Sequence, residues 1–346
     1  MGINTTLLNG IRENAYDYGI NFPEVKEFLV NIPHDFQNRQ AKAIEIIEGI
    51  MTVHGKKELL GHIAQLASVE YGIRELNPSA RDHVVHALLS FFLGVYINEH
   101  FLKPSGQAVD AFQWKLACLF HDIGYPAQIA NGILRPYTDQ LNNIKRDLSF
   151  NRPDIYFSVV PVGLEKLSNR VNALDLIQQR LNIWGVDVNA KREYKTMVKS
   201  GRVYHGIISS LSVLYIVDMM YQKYNPRRAY VDNYEPQGIN WNQSYFENDV
   251  VAACAAVFLH NLPAGCFRST PLDRNRAALP YLLRLSDSLQ DWERPSANDP
   301  TGRPESAFDI EILLGRLIFK VCDSDRRSQI KEEIELAISA SDIDIM

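Results

Sequence analysis

The stretch Leu116–Pro126, LACLFHDIGYP, runs apolar for five residues, delivers His121 and Asp122 side by side, and then meets Gly124 and Pro126. A buried polar pair of this kind is stable only with partners that satisfy its charge and lone pairs. The residues before it, QAVDAFQWKLACLFHD (107–122), carry the spacing of a helix, closed by Gly124 and Pro126 in the order helix C-termini favour.

Working outward, RDHVVHALLSFFLGVYINEHFL (81–102) is apolar on more than one face and predicts a central buried helix. Upstream, VKEFLVNI (25–32), QAKAIEIIEGIM (40–51) and KELLGHIAQLASVEYGI (57–73) repeat apolar residues every three or four positions, as helices do. Residues 127–200 are more polar, with breaks expected at Pro136, Pro153 and Pro161 and weaker helices between. They predict an inserted helical cap that ends in the basic run KREYKTMVKSGR (191–202). Strong helices follow in VYHGIISSLSVLYIVDMMYQK (203–223), DVVAACAAVFLHN (249–261) and ALPYLLRLSDSLQDW (278–292), with a polar loop at 225–247. Beyond the loop ERPSANDPTGRPES (293–306), FDIEILLGRLIFKVC (308–322) alternates, with Gly315 placed for a hairpin turn. RRSQIKEEIELAISA (326–340) predicts a last amphipathic helix. The expected fold is mostly α, divided into an N-terminal helical segment (1–80), a core (81–295, with the cap at 127–200), and a C-terminal hairpin and helix (296–346).

The 346 residues include 46% hydrophobic and 22% charged residues, enough apolar mass for a substantial core. A net charge of −5 argues against a protein that coats nucleic acid generally. Cys118, Cys254, Cys266 and Cys322 are scattered and form no CxxC pair, which fits reduced thiols in the cytoplasm. No run approaches the roughly 20 apolar residues of a membrane span, and the N-terminus has no apolar signal core. A membrane partner is not expected. Self-association is open, with the C-terminal hairpin and helix as the candidate surface or as a packed accessory element.

Of nine histidines, His34, His54, His62 and His100 sit in polar or mixed surroundings and are expected at the surface. The others lie within apolar segments. His83 and His86 share a helical face, His121 precedes Asp122, His205 lies one turn into a helix, His260 ends one, and Asp287 interrupts LLRLSDSLQ. Any one of them could be a hydrogen-bonded core residue. Together they bring several imidazoles and carboxylates into buried stretches, and convergence on a divalent cation removes the cost of burying them. Imidazole with carboxylate and no thiolate suits Mn, Fe, Co, Ni or Zn rather than Ca, with Mg also open.

In this order the residues resemble the HD superfamily of metal-dependent phosphohydrolases. FHDIG, YHGIISS, FLHN and LLRLSDSLQDWERP carry the resemblance over roughly residues 80–295. It implies an all-α HD-domain core in which His86, His121, Asp122 and Asp287 hold one metal ion. His205 and His260 would hold a second, with Asp122 bridging the two. His83 competes with His86 as first ligand; otherwise it faces the substrate and aids catalysis together with Asp122. The implied chemistry is attack by metal-activated water on a phosphoester or phosphoanhydride of a nucleotide or related small phosphate. Tyr125, Arg284, Arg294, Lys199 and Arg202 are candidates to bind that substrate, and for the basic run a solvated helix face is the competing account. Asn261 and Trp292 are further candidates for the pocket wall. The ligands alone do not separate this chemistry from a di-iron oxygenase of the same fold, or from a nucleotide-binding regulator without turnover. Tyr125 stands where the cyclic-dinucleotide and dNTP-cleaving branches carry other residues, so no specific substrate follows.

Overall fold

The computed structural model describes residues 2–30, 36–52, 77, 80–149, 153, 159–224, 246–296, 298–299 and 301–346. The helix expected over 57–73, the loop expected over 225–247 up to residue 245, and His34, His54 and His62 lie outside them. Among the described residues the protein is mostly helical, with twelve α-helices and one small sheet near the C-terminus.

The axis of the fold is α4 (His83–Ile97). Asp82 caps it by accepting from the Val85 amide at 2.7 Å, and every residue of the helix except Tyr96 is buried. It is apolar all round because it is packed all round. The N-terminal helices α1 (Ile3–Ile11) and α3 (Phe36–Thr52) lie against it, as do α5 (Ala111–Leu119) and α11 (Ala278–Leu289). Contact with α5 is close at Gly94, where an added Cβ would fall 1.9 Å from the Trp114 ring. By length and composition His83–Ser105 could cross a membrane, but 78% of its most apolar window is buried inside the protein. That is the character of a core helix.

The HD stretch itself departs from the expected helix. α5 ends at Leu119, and Phe120 at φ −122°, ψ 9° has already left helical geometry. Residues 120–124 form a turn whose Gly124 amide donates to Ser209 Oγ at 2.8 Å. Pro126 does not terminate a helix; it sits in the first turn of α6 (Tyr125–Asp147), where a missing N–H has no intrahelical partner to lose. His121 and Asp122 therefore stand in a tight turn between two helices. Nor does Pro136 break the chain. α6 continues through it for 23 residues, and both Pro136 and Gly132, whose carbonyl it releases, face solvent that can hydrate that carbonyl.

Behind this turn runs α9 (His205–Tyr224), packed on α10 (Val251–His260), which in turn packs on α11. Within the segment expected to be a cap, α7 (Ala173–Ile183) also lies on α10 and buries Ala173, Leu174, Ile177 and Leu181. α2 (Phe22–Val30) and α8 (Ala190–Ser200) pack on α1 and α7 at the periphery.

At the C-terminus β1 (Phe308–Leu313) and β2 (Arg316–Val321) pair antiparallel around Leu314 and Gly315, both at positive φ. This is the expected hairpin. The parallel third strand β3 (Ile343–Ile345), beside β2, was not foreseen from its three residues. The hairpin packs into the molecule through Trp292, Phe308 and Phe319, and α12 (Ser324–Ala337) lies against α11 and the sheet.

One charged group inside this packing has no role in the site described below. Lys115 on α5 is 0% exposed, with its Nζ 3.4 Å from the Ile50 carbonyl, and burial lowers its pKa to about 7. The unfolded chain holds this proton up to about pH 10.4. Between those values the unfolded state binds more protons, so this residue makes stability rise with pH from about 7 to 10. Lys115→Met should raise unfolding free energy at pH 6 by about 2 kcal/mol and flatten that rise, as read by urea titration across pH.

Candidate metal centre

Four helices and one turn meet at the end of the bundle where α5 stops. His86 lies one turn into α4, His205 opens α9, His260 closes α10, and Asp287 lies on α11, all around the His121–Asp122 turn. The carboxylates are divided between these partners by position. Asp122 Oδ2 is 3.4 Å from His121 Nε2 and 3.9 Å from His86 Nε2, and Asp287 Oδ1 is 2.9 Å from His86 Nε2 and 3.7 Å from His121 Nε2. The other oxygen, Asp122 Oδ1, faces His205 Nε2 at 3.0 Å and His260 Nε2 at 3.5 Å. Donors about 2.1 Å from a common cation in tetrahedral or octahedral array are themselves about 3.0–3.4 Å apart, so these separations suit a shared ion.

The helices meet closely at glycines. A Cβ on Gly124 would fall 2.6 Å from the His205 carbonyl oxygen, and one on Gly206 would fall 2.7 Å from the Val257 carbonyl and 2.8 Å from the His260 ring. Only the glycine backbone permits α9 to approach the turn on one side and α10 on the other.

Hydrogen bonds on the far side of each ring fix which nitrogen looks inward. His121 Nδ1 donates to the Cys118 carbonyl at 2.6 Å and His260 Nδ1 to the Val257 carbonyl at 2.6 Å. His205 Nδ1 donates to Gln128 Oε1 at 2.8 Å, and His86 Nδ1 donates to Gln290 Oε1. With the proton held on Nδ1, each ring turns an Nε2 lone pair toward the carboxylates, the outer-shell arrangement of histidine metal ligands. His205 Nε2 and His260 Nε2 stand 3.0 Å apart, a repulsive meeting of lone pairs unless a cation lies between them. His121 Nε2 is buried and has no hydrogen-bond partner among the described residues.

The electrostatics run the same way. Burial opposes ionisation of Asp122, which is 7% exposed, yet His121, His205 and His83 outweigh it and hold the carboxyl well below its usual range. Asp287 is likewise held low despite burial, by His121 and His86. Burial lowers His260 to about 4, His83 to about 3, and His86 as well. For His121 burial also favours the neutral form, but the Asp122 and Asp287 carboxylates prevail and raise it to about 9. Two carboxylates thus face mostly neutral imidazoles, and a proton on His121 does the work a metal ion would do. These buried His and Asp groups can hold a metal ion: His86, His121 and Asp287 form one set of converging ligand atoms, and His121, Asp122 and His260 another.

The other expected site residues fall into three groups. His83 Nδ1 lies 2.7 Å from Asp122 Oδ2 and 3.0 Å from Arg294 Nη2, while its ring centroid is 3.5 Å from that of Tyr125. These three form one edge of the cluster. Arg284 instead donates to the His260 carbonyl and so anchors the end of α10. Lys199 and Arg202 are exposed, and among the described residues neither is bonded to a cluster residue; Lys191 in the same basic run pairs with Asp175 at 2.5 Å. Trp292 is core, fully buried and bonded to Asn4. Sequence reasoning missed Gln290 and Gln128, which orient His86 and His205, and Ser209, which holds the turn. Gln290 follows Asp287 by three residues but stands just past the end of α11, where the backbone has turned extended (φ −77°, ψ 105°), so helical spacing does not point to it.

No protein-family model matches the chain, and neither a curated protein nor a solved structure does so.

Gly206→Ala should force α9 and α10 apart and push the His260 ring off its position. The expected cost is about 1–3 kcal/mol of stability, together with weaker cation binding, read by thermal unfolding with and without added Mn2+.

Proposed function

We propose that the protein is a metal-dependent phosphohydrolase of the HD type, acting on a nucleotide or a related small phosphate ester. The observation that carries this is the division of Asp122, with Oδ2 turned toward His83, His86 and His121 and Oδ1 toward His205 and His260. That division suits two divalent cations sharing one carboxylate, with His86, His121 and Asp287 on one side and His205 and His260 on the other. When bound, such ions supply hydroxide near neutral pH and neutralise charge building on phosphate oxygens.

The chain itself contributes position and charge. Arg294 presents a guanidinium at the open edge of the cluster, suited to two oxygens of one phosphate, and its Nη2 contact to His83 sets its direction. Tyr125 lies against His83 with its ring centroid 5.3 Å from that of His205, where it can flank a planar group beside the phosphate. His83, neutral and bonded through Nδ1 to Asp122, orients that carboxylate at the edge of the cluster. The Cys118 thiol is not poised as a nucleophile: burial raises it well above its ordinary value, and its Sγ lies 3.7 Å from the Ala87 carbonyl.

The purified protein, loaded in turn with Mn2+, Fe2+, Co2+, Ni2+, Zn2+ or Mg2+, should hydrolyse at least one substrate among nucleoside mono- and triphosphates, cyclic nucleotides and cyclic dinucleotides. His121→Ala and Asp122→Ala should each lower turnover about 10³-fold, the scale set by removing charge stabilisation of a transition state. Arg294→Ala should raise KM about tenfold with a smaller change in kcat. Full turnover in the His121 and Asp122 variants, or turnover only with iron and consumption of O2, overturns the proposal.

A further inference from the structure

Asn4 is 3% exposed although it lies in the second residue of the N-terminal helix, about 80 residues ahead of the first cluster residue. Its side chain is bonded in every direction. Oδ1 accepts from Trp292 Nε1 at 3.0 Å, and Nδ2 donates to Glu293 Oε2 at 3.0 Å and to the Leu29 carbonyl at 3.2 Å. Its backbone N–H donates to Glu305 Oε2 at 3.1 Å. Three of these four bonds therefore reach the segment that follows α11.

That segment is held in a conformation it would not adopt by itself. Glu293 has φ 51°, in the left-handed region that a non-glycine residue rarely adopts. Besides Asn4, the Glu293 amide donates to the Arg303 carbonyl at 2.7 Å, and Arg39 Nη1 donates to the Glu293 carbonyl at 3.2 Å. Gly302, at φ 67°, lies so close that a Cβ there would fall 2.6 Å from the Arg294 amide nitrogen. The φ of Glu293 sets the plane of the Trp292–Glu293 peptide, and the Trp292 carbonyl in that plane accepts from Gln290 Nε2 at 2.6 Å. With Nε2 committed there, Gln290 must present Oε1 to His86 Nδ1, which leaves the His86 Nε2 lone pair facing Asp287 and Asp122.

We propose that Asn4 is a positioning residue for the half of the cation centre that contains His86, acting through Trp292 and Gln290. The inference rests on the metal-centre reading above and adds that the N-terminal helix sets the affinity of one half and not the other. The His205 and His260 half takes its orienting bonds from Gln128 and the Val257 carbonyl, which share nothing with Asn4.

The test titrates Co2+ into apo protein, followed by absorbance, with Asn4→Leu placed in two backgrounds. His260→Ala leaves the His86 half to bind, and His86→Ala leaves the other half. Asn4→Leu should weaken Co2+ about tenfold in the His260→Ala background, the scale of losing an outer-shell bond, and leave affinity unchanged in the His86→Ala background. Trp292→Phe, which removes only the indole donor to Asn4, should act in the same direction and add little when combined with Asn4→Leu; it carries the test if Asn4→Leu does not fold. Unchanged affinity with both variants, or an equal fall in both backgrounds, overturns the inference. A wild-type chain that binds no Co2+ overturns the metal reading instead, so the two failures are distinguishable.

Discussion

A carboxylate fully enclosed by protein has to be compensated where it stands, and Asp122 is the point around which the rest of this molecule is arranged. Burial alone would keep it protonated, yet His121, His205 and His83 hold it ionised. They sit on three different segments, so the charge on Asp122 is stable only when α4, the 120–124 turn and α9 are all in place. The site is thus also a tertiary lock. Ligand geometry and helix packing are specified by the same contacts, and neither forms fully without the other.

The backbone around the cluster follows from this. Imidazoles can turn their Nε2 atoms inward only if their Nδ1 atoms have acceptors. Two of these acceptors are carbonyls three residues earlier, that of Cys118 for His121 in the turn after α5 and that of Val257 for His260 at the end of α10. His86, one turn into α4, and His205, at the start of α9, have a glutamine side chain in that role instead. Close approach at Gly124 and Gly206 then brings the two kinds of histidine to the same carboxylate.

Much of this was legible from residues alone, because the signal was local. Apolar periodicity marked α4, α5, α9, α10 and α11, and the polar interruptions in those segments are the residues that converge. What failed was punctuation. Pro126 and Gly124 form the same letters whether a proline ends one helix or starts the next, and only the leftward drift of Phe120 out of helical geometry decides it. Pro136 failed for a related reason, since exposure of Gly132 and Pro136 to water removes most of the penalty that makes proline a breaker. The basic run near Lys199 admits both a phosphate grip and a solvated helix face, because charge is visible in a sequence while direction is not. The Asn4 bonds were invisible altogether, since nothing local ties residue 4 to residue 292.

The protein also contains its own contrast for what the Asp122 cluster is. Asp291, four residues after Asp287, is as deeply buried, and it is bonded by Arg81, Arg303 and Arg326 from three separate segments. Guanidinium is permanently charged, has no lone pair to offer a metal, and saturates carboxylate oxygens with N–H donors. That network closes on itself and joins the start of α4, the 291–303 loop and α12. Asp122 and Asp287 are given imidazoles instead, whose charge is conditional and whose inward nitrogens become acceptors once they are deprotonated. Had the requirement been only to stabilise a buried carboxylate, the solution used at Asp291 was available a turn away. The choice of imidazole at Asp122 and Asp287 leaves lone pairs where arginine would have left protons, and an inward-facing set of lone pairs around two carboxylates is complementary to a cation.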